Sequence, residues 1–402
     1  CLSDAHRRSA LRMDTRVLRT ETASMSDTPN PLRPLAFLRR ERAFLVGIVS
    51  AGLFFTFGGS WLGDLTNTPW SVFMFAWLFA VMLWSSFAVV RHADSLAVRL
   101  GEPYGTLILT LAVISIEVVM ISAVMLTGAE NPTLARDTMF AVLMIVLNGM
   151  LGLTLLLGGL KHHEQEYNLR GASAYLGVII PLAAMGIVMP RFTASTPDSS
   201  ASPLFAVFLI TMSVGLYGIF LALQSVRHSQ YFRQPVREDG EDDDDDGHGE
   251  LEVFAGGYHG VMLVLTMLPI VLLSKNMAKV VDHGSEVLGT PTALSGFLVA
   301  ILVLSPEAMA AVKAALANQL QRTVNIALGS ALATISLTVP AVLMIGLATG
   351  KTVELGLEDV ELILLVVTLA VSMVNFGSGR TNTMQGAVHL LLFFAYVVLI
   401  FD

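Results

Sequence analysis

Two short stretches of this 402-residue chain echo each other: residues 111–118 read Leu-Ala-Val-Ile-Ser-Ile-Glu-Val, and residues 301–308 read Ile-Leu-Val-Leu-Ser-Pro-Glu-Ala. Ser115 and Glu117 thereby align with Ser305 and Glu307 at an offset of 190. Each glutamate sits in a long apolar run, where an acid needs a partner or a watery cavity. At a bilayer centre an unpaired carboxylate costs about 2.5–3.5 kcal/mol or more. Two carboxylates brought together oppose each other's ionisation. Such a pair is least costly when it holds one divalent cation or when protons neutralise it, and most costly when empty. That mutual exclusion is what exchange of a cation for protons requires.

A hard cation such as calcium takes about 6–8 oxygens, more than two glutamates supply. The nearby candidates are Ser115, Ser305, Asn148, Ser330 and Thr334, together with any unwound backbone carbonyls. Interhelical hydrogen bonding is the other role open to these side chains. Pro306 removes a backbone donor beside Glu307, so the helix is expected to loosen there and free carbonyls. Gly149 and Gly152, and Gly329 in the second half, either permit close helix packing or line a path.

The elements that position these residues must span a membrane. Apolar residues make up 54% of the chain and charged residues only 14%, with a mean hydropathy of +0.68, whereas a soluble domain carries about 25% charged residues. A spanning helix needs roughly 20 apolar residues. That test selects 43–63, 70–90, 104–128, 138–160, 172–190, 203–224, 258–274, 289–317, 324–349, 359–376 and 383–401. The fold expected is an all-α polytopic membrane protein of about 11 transmembrane helices.

Residues 225–257 interrupt the pattern and contain the run Asp242, Asp243, Asp244, Asp245 and Asp246, which accounts for much of the net charge of −8. This acidic segment is either a solvated linker or a low-affinity cation sensor. It divides the chain into a basic tail (1–42), one extra helix (43–63), a first five-helix repeat (70–224), the linker, and a second five-helix repeat (258–402). An odd helix count per repeat inverts the second copy, and inverted repeats bring equivalent residues together near mid-membrane. Each glutamate lies on the second helix of its repeat.

Residues 1–42 hold nine arginines and no apolar run of helix length, which reads as a disordered cytoplasmic tail; Met25 is a plausible start. Arg91, Arg99, Lys161, Arg170, Arg227, Arg233, Arg237 and Arg380 then share the cytoplasmic side, with Lys275 and Lys279 as exceptions. One cysteine, Cys1, excludes a disulfide framework or a cysteine metal site. His162-His163-x-x-x-Tyr reads as an interfacial cluster, and His259 and His389 as packing residues near helix ends. No His-Glu-x-x-His or Gly-x-Ser-x-Gly motif supports an intramembrane enzyme. Paired inverted repeats with single acids favour alternating access over a channel.

The layout, the acidic central loop and the two glutamate-bearing helices resemble the calcium/proton exchangers of the cation/calcium exchanger superfamily, in particular their bacterial ChaA-type branch. Glu102-Pro103-Tyr104-Gly105-Thr106-Leu107-Ile108-Leu109-Thr110, running on to Glu117, looks like that branch's first repeat. Ser305-Pro306-Glu307-Ala308, followed by Asn325-Ile326-Ala327-Leu328-Gly329-Ser330-Ala331, looks like its second. The resemblance covers roughly residues 35–402 and implies that Glu117 and Glu307 bind cation and protons. It implies a bacterial inner-membrane location, membrane lipids and inorganic cations as partners, and no cofactor or nucleic acid. Many members carry Gly-Asn two residues before each glutamate, where this chain has Ile114-Ser115 and Leu304-Ser305. A serine hydroxyl is a poorer cation ligand than an amide oxygen, so calcium, sodium and potassium all stay open.

Overall fold

The computed structural model describes residues 34–100, 104–127, 131–235, 256–289, 291 and 293–401. The arginine-rich residues 1–33 and the run Asp242–Asp246 lie outside them. A short α1 (Pro34–Arg40) precedes eleven longer helices: α2 (Arg42–Trp61), α3 (Thr68–Leu100), α4 (Tyr104–Thr127), α5 (Leu134–His162), α6 (Leu169–Phe192), α7 (Pro203–Arg227), α8 (Gly256–Leu288), α9 (Ala293–Leu316), α10 (Leu320–Thr349), α11 (Asp359–Asn375) and α12 (Thr383–Leu399). Eight of these are long and apolar enough to cross a membrane, and α4 and α12 carry shorter apolar stretches. Helices dominate because a spanning segment must satisfy its backbone internally.

Each long helix occupies one of the segments selected by hydropathy, but several outrun it. α3 and α8 each run 33 residues, about 50 Å at the helical rise. Lys275 and Lys279 therefore lie on the body of α8 and not in a loop. The helix lengths mirror each other between repeats: 33 and 33 residues for α3 and α8, 24 and 24 for α4 and α9, 29 and 30 for α5 and α10. α3 and α8 run antiparallel, as the first helices of inverted copies must. His92 meets His259 at one end of the pair (Nδ1–Nδ1 3.1 Å), and His283 Nε2 meets the Leu65 carbonyl at the other (2.9 Å).

The two copies interlock. One apolar cluster draws on α4 to α7 and α9 to α12, and a second joins α2, α3 and α8 to one face of α4 and α9. α5 packs on α12, and α10 packs on α7, so the third helix of each repeat leans on the fifth of the other. Gly152 of α5 permits a close approach: a Cβ there would lie 2.8 Å from the Leu390 amide nitrogen of α12. One small antiparallel ribbon, β1 (Glu164–Glu166) with β2 (Arg380–Asn382), ties the ends of these helices together.

α9 passes through Pro306 as unbroken α-helix, contrary to the loosening expected there. Ser305 Oγ donates to the Ile301 carbonyl (2.6 Å) within the same turn. The backbone opens instead in α5 and α10, which contain π-helical segments at Ile145–Met150 and Thr334–Thr338. These sit at repeat-equivalent places, and a π-turn leaves carbonyls out of step with the α-ladder.

The extra helix is anchored by a buried polar knot. Glu41, just before α2, is fully buried. It accepts bonds from Arg91 (2.6 Å), Tyr258 (2.6 Å) and the His92 ring (3.2 Å). Burial works against its charge, but the bonds from His92 and Tyr258 and the Arg91 guanidinium outweigh it and hold the carboxyl at about 2. His259 is fully buried within this knot.

Candidate functional site

Glu117 on α4 and Glu307 on α9 are both buried, at 1% and 5% exposure. Glu307 lies within electrostatic reach of Glu117. One helix, α10, hydrogen-bonds both. Thr334 Oγ1 donates to Glu117 Oε2 (2.8 Å), Thr338 Oγ1 donates to Glu117 Oε1 (3.1 Å), and Ser330 Oγ donates to Glu307 Oε2 (2.8 Å).

The spacing explains this. Residues four apart share a helix face, so Ser330, Thr334 and Thr338 form a column of hydroxyls. α10 packs against both α4 and α9. The π-segment spans Thr334 to Thr338, so the two donors to Glu117 bracket the irregular turn. A site of two carboxylates and three hydroxyls is built entirely of oxygens. Oxygen donors suit a hard cation, and either carboxylate can instead take a proton.

The other residues singled out by sequence fare differently. Ser115 is exposed, and its hydroxyl donates to the Leu111 carbonyl of its own helix (2.6 Å). Ser305 makes the equivalent bond within α9. Neither touches a glutamate. Asn148 is fully buried but turns toward α11 and α12: its Nδ2 donates to Thr368 Oγ1 (2.8 Å), and its Oδ1 faces His389 Nδ1 (3.2 Å). His162 caps the end of α9, its Nε2 lying 2.9 Å from the Leu316 carbonyl beside Lys161 Nζ. Among the described residues no group of three or more His, Cys, Asp or Glu gathers as a metal cage.

Thr338 is the partner that sequence reasoning missed. A signal existed: it continues the four-residue step from Ser330 and Thr334, and it aligns with Asn148 at the repeat offset.

Two buried carboxylates bonded by one column of hydroxyls thus sit at the centre of an all-helical, polytopic membrane protein built on inverted repeats. The sodium/calcium exchanger protein family matches residues 70–226 and 258–401, and this chain belongs to that family, within the cation/calcium exchanger superfamily. The chain is 43% identical over 320 residues to the sodium-potassium/proton antiporter ChaA of Escherichia coli (strain K12), covering 80% of this chain and 86% of that protein. It is 23% identical over 376 residues to the Ca2+/H+ antiporter of Synechocystis sp. (strain ATCC 27184 / PCC 6803 / Kazusa), covering 90% and 97%. Its fold is that of native YfkE, with a TM-score of 0.67 at 19% identity over 89% of this chain and 99% of that one.

Proposed function

We propose that this chain is a cation/proton antiporter working by alternating access, with Glu117 and Glu307 holding a cation and protons in turn. The observation that carries the reading is the common tether: α10 hydroxyls bond both glutamates, so one helix feels the charge state of either. A loaded or protonated pair is compatible with a closed, dry site, whereas a doubly ionised empty pair is not. That difference couples the two fluxes.

Calcium is the cation this site suits best. Two carboxylates match one divalent charge, and with Ser330, Thr334 and Thr338 they offer enough oxygens for a calcium shell of about 6–8. A second reading, exchange of sodium or potassium for protons, is supported by the name of the 43% identical relative. The serines that stand where many members carry an amide point the same way. No cofactor enters either reading; the cation is the substrate. The seat is a bacterial inner membrane, crossed many times. Arg91, Lys161, Arg170 and Arg227 share one end of the bundle, which supports placing the N-terminus and the acidic linker in the cytoplasm.

The test uses inside-out vesicles with an imposed proton gradient, to which calcium, sodium and potassium are added separately while internal pH is followed. Collapse of the gradient in the parent, lost in Glu117→Gln and in Glu307→Gln, is the expected outcome. No response to any cation, or an undiminished response in both variants, overturns the paired-glutamate mechanism.

A further inference from the structure

Two further acids occupy matched places in the molecule. Asp94 and Asp282 are each the twenty-seventh residue of a 33-residue helix, counted from Thr68 on α3 and from Gly256 on α8. Because α3 and α8 are antiparallel, the two aspartates stand near opposite ends of the bundle. Asp94 is the only acid on α3, and it is half-buried. It lies within electrostatic reach of Glu307 and also of Lys313 and Arg322. Asp282 faces Ser295 of α9 and lines a cavity of about 850 Å3. The same cavity is walled by Thr138, Ser274, and Met120 and Ile121, the turn of α4 just beyond Glu117.

We propose that Asp94 and Asp282 are two outer cation stations, one on each access route: Asp94 serves Glu307 from the Arg91 end, and Asp282 serves Glu117 from the opposite end. The proposal rests on the antiporter reading and adds where the ion waits before the central pair. Carboxylate charge beside a low-dielectric route, from Asp94 at one end and from Asp282 with Glu286 on its cavity wall at the other, raises the local cation concentration and shortens the step from bulk water to the dry site. The two stations match in helix and in distance from the helix start, although at the offset of 190 Asp94 aligns with Gly284 and Asp282 with His92. Their surroundings are not equivalent. Asp94 shares its charge with Lys313 and Arg322, so a cation entering there competes with two fixed positive charges. Apparent cation affinity should therefore be weaker at the Arg91 end than at the Asp282 end.

Sided transport in sealed vesicles of both orientations tests this. Calcium is titrated from each face, or sodium if that is the ion the parent exchanges. Asp94→Asn is expected to raise the half-saturating concentration about fivefold or more from the face carrying Arg91, and less than twofold from the other. Asp282→Asn is expected to do the reverse, and Asp94→Glu and Asp282→Glu to restore most of the affinity. Thermal stability of each purified variant identifies misfolding, and the glutamate variants carry the test where an asparagine variant fails to fold. Equal effects from both faces, or none, in folded variants of a parent that exchanges ions overturn the stations alone. Absence of exchange in the parent overturns the antiporter reading itself.

Discussion

α5 and α10 are the same element built twice and put to different use. Both are central helices, with 78% of the apolar window of α5 and 61% of that of α10 buried, and both carry a π-segment at the equivalent place. At the repeat offset of 190, Ser330, Thr334 and Thr338 of α10 align with Phe140, Met144 and Asn148 of α5. α10 therefore presents three hydroxyls to the two glutamates, while α5 presents an aromatic ring, a thioether and one amide that turns away toward His389. The backbone of an inverted repeat can stay symmetric under packing constraints alone. Its polar side chains need not, because each carboxylate requires its donors only once.

The sharpest way to break this contrast is to strip the column. Thr334→Val with Thr338→Val removes both donors to Glu117. A hydrogen bond to a charged group contributes about 1.5–3 kcal/mol. The half-saturating cation concentration should shift tenfold or more, read in the vesicle assay, with the fold retained by circular dichroism. Asn148→Val should instead leave cation affinity within about threefold while lowering thermal stability. An equal loss of affinity in both would show that α5 and α10 share the site after all.

A change outside both central helices sharpens the comparison by leaving it intact. Glu41→Gln removes a buried charge that Arg91, itself 35% exposed, holds, and a hydrogen bond to a charged group contributes about 1.5–3 kcal/mol. The melting temperature should fall while cation affinity holds. The pH dependence has a definite sign. The folded carboxyl sits at about 2, below its ordinary value, so its contribution is complete above about pH 4.5 and is lost as pH falls toward 2. The gap in melting temperature between parent and variant should therefore be constant from pH 8 to about 5 and close below that.

Overpacking the α5–α12 contact is a smaller perturbation. Gly152→Val places side-chain atoms where the Leu390 backbone already stands, and overpacking costs about 1–3 kcal/mol. Stability should drop, with little change in affinity per folded molecule. The smallest effect is expected from Ser115→Ala and Ser305→Ala. Both hydroxyls bond their own helix, so cation affinity should move less than twofold. A large loss in either would return these serines to the ion.

Much of this molecule was legible before any coordinates. Hydropathy at the length of a bilayer located the helices, because the rise per residue and the hydrocarbon thickness are both local quantities. The Ser-x-Glu echo at an offset of 190 picked out Glu117 and Glu307, because acids in apolar runs are costly and so stand out. Which hydroxyls meet those acids was decided only by the tertiary structure. Glu117 draws its donors from residues 217 and 221 positions away, and the choice depends on which face α10 turns toward α4. Ser115 and Ser305, two residues before the acids in sequence, spend their hydroxyls on their own helices instead. Spacing along one chain reports which residues share a helix face; it carries no record of which other helix that face will meet.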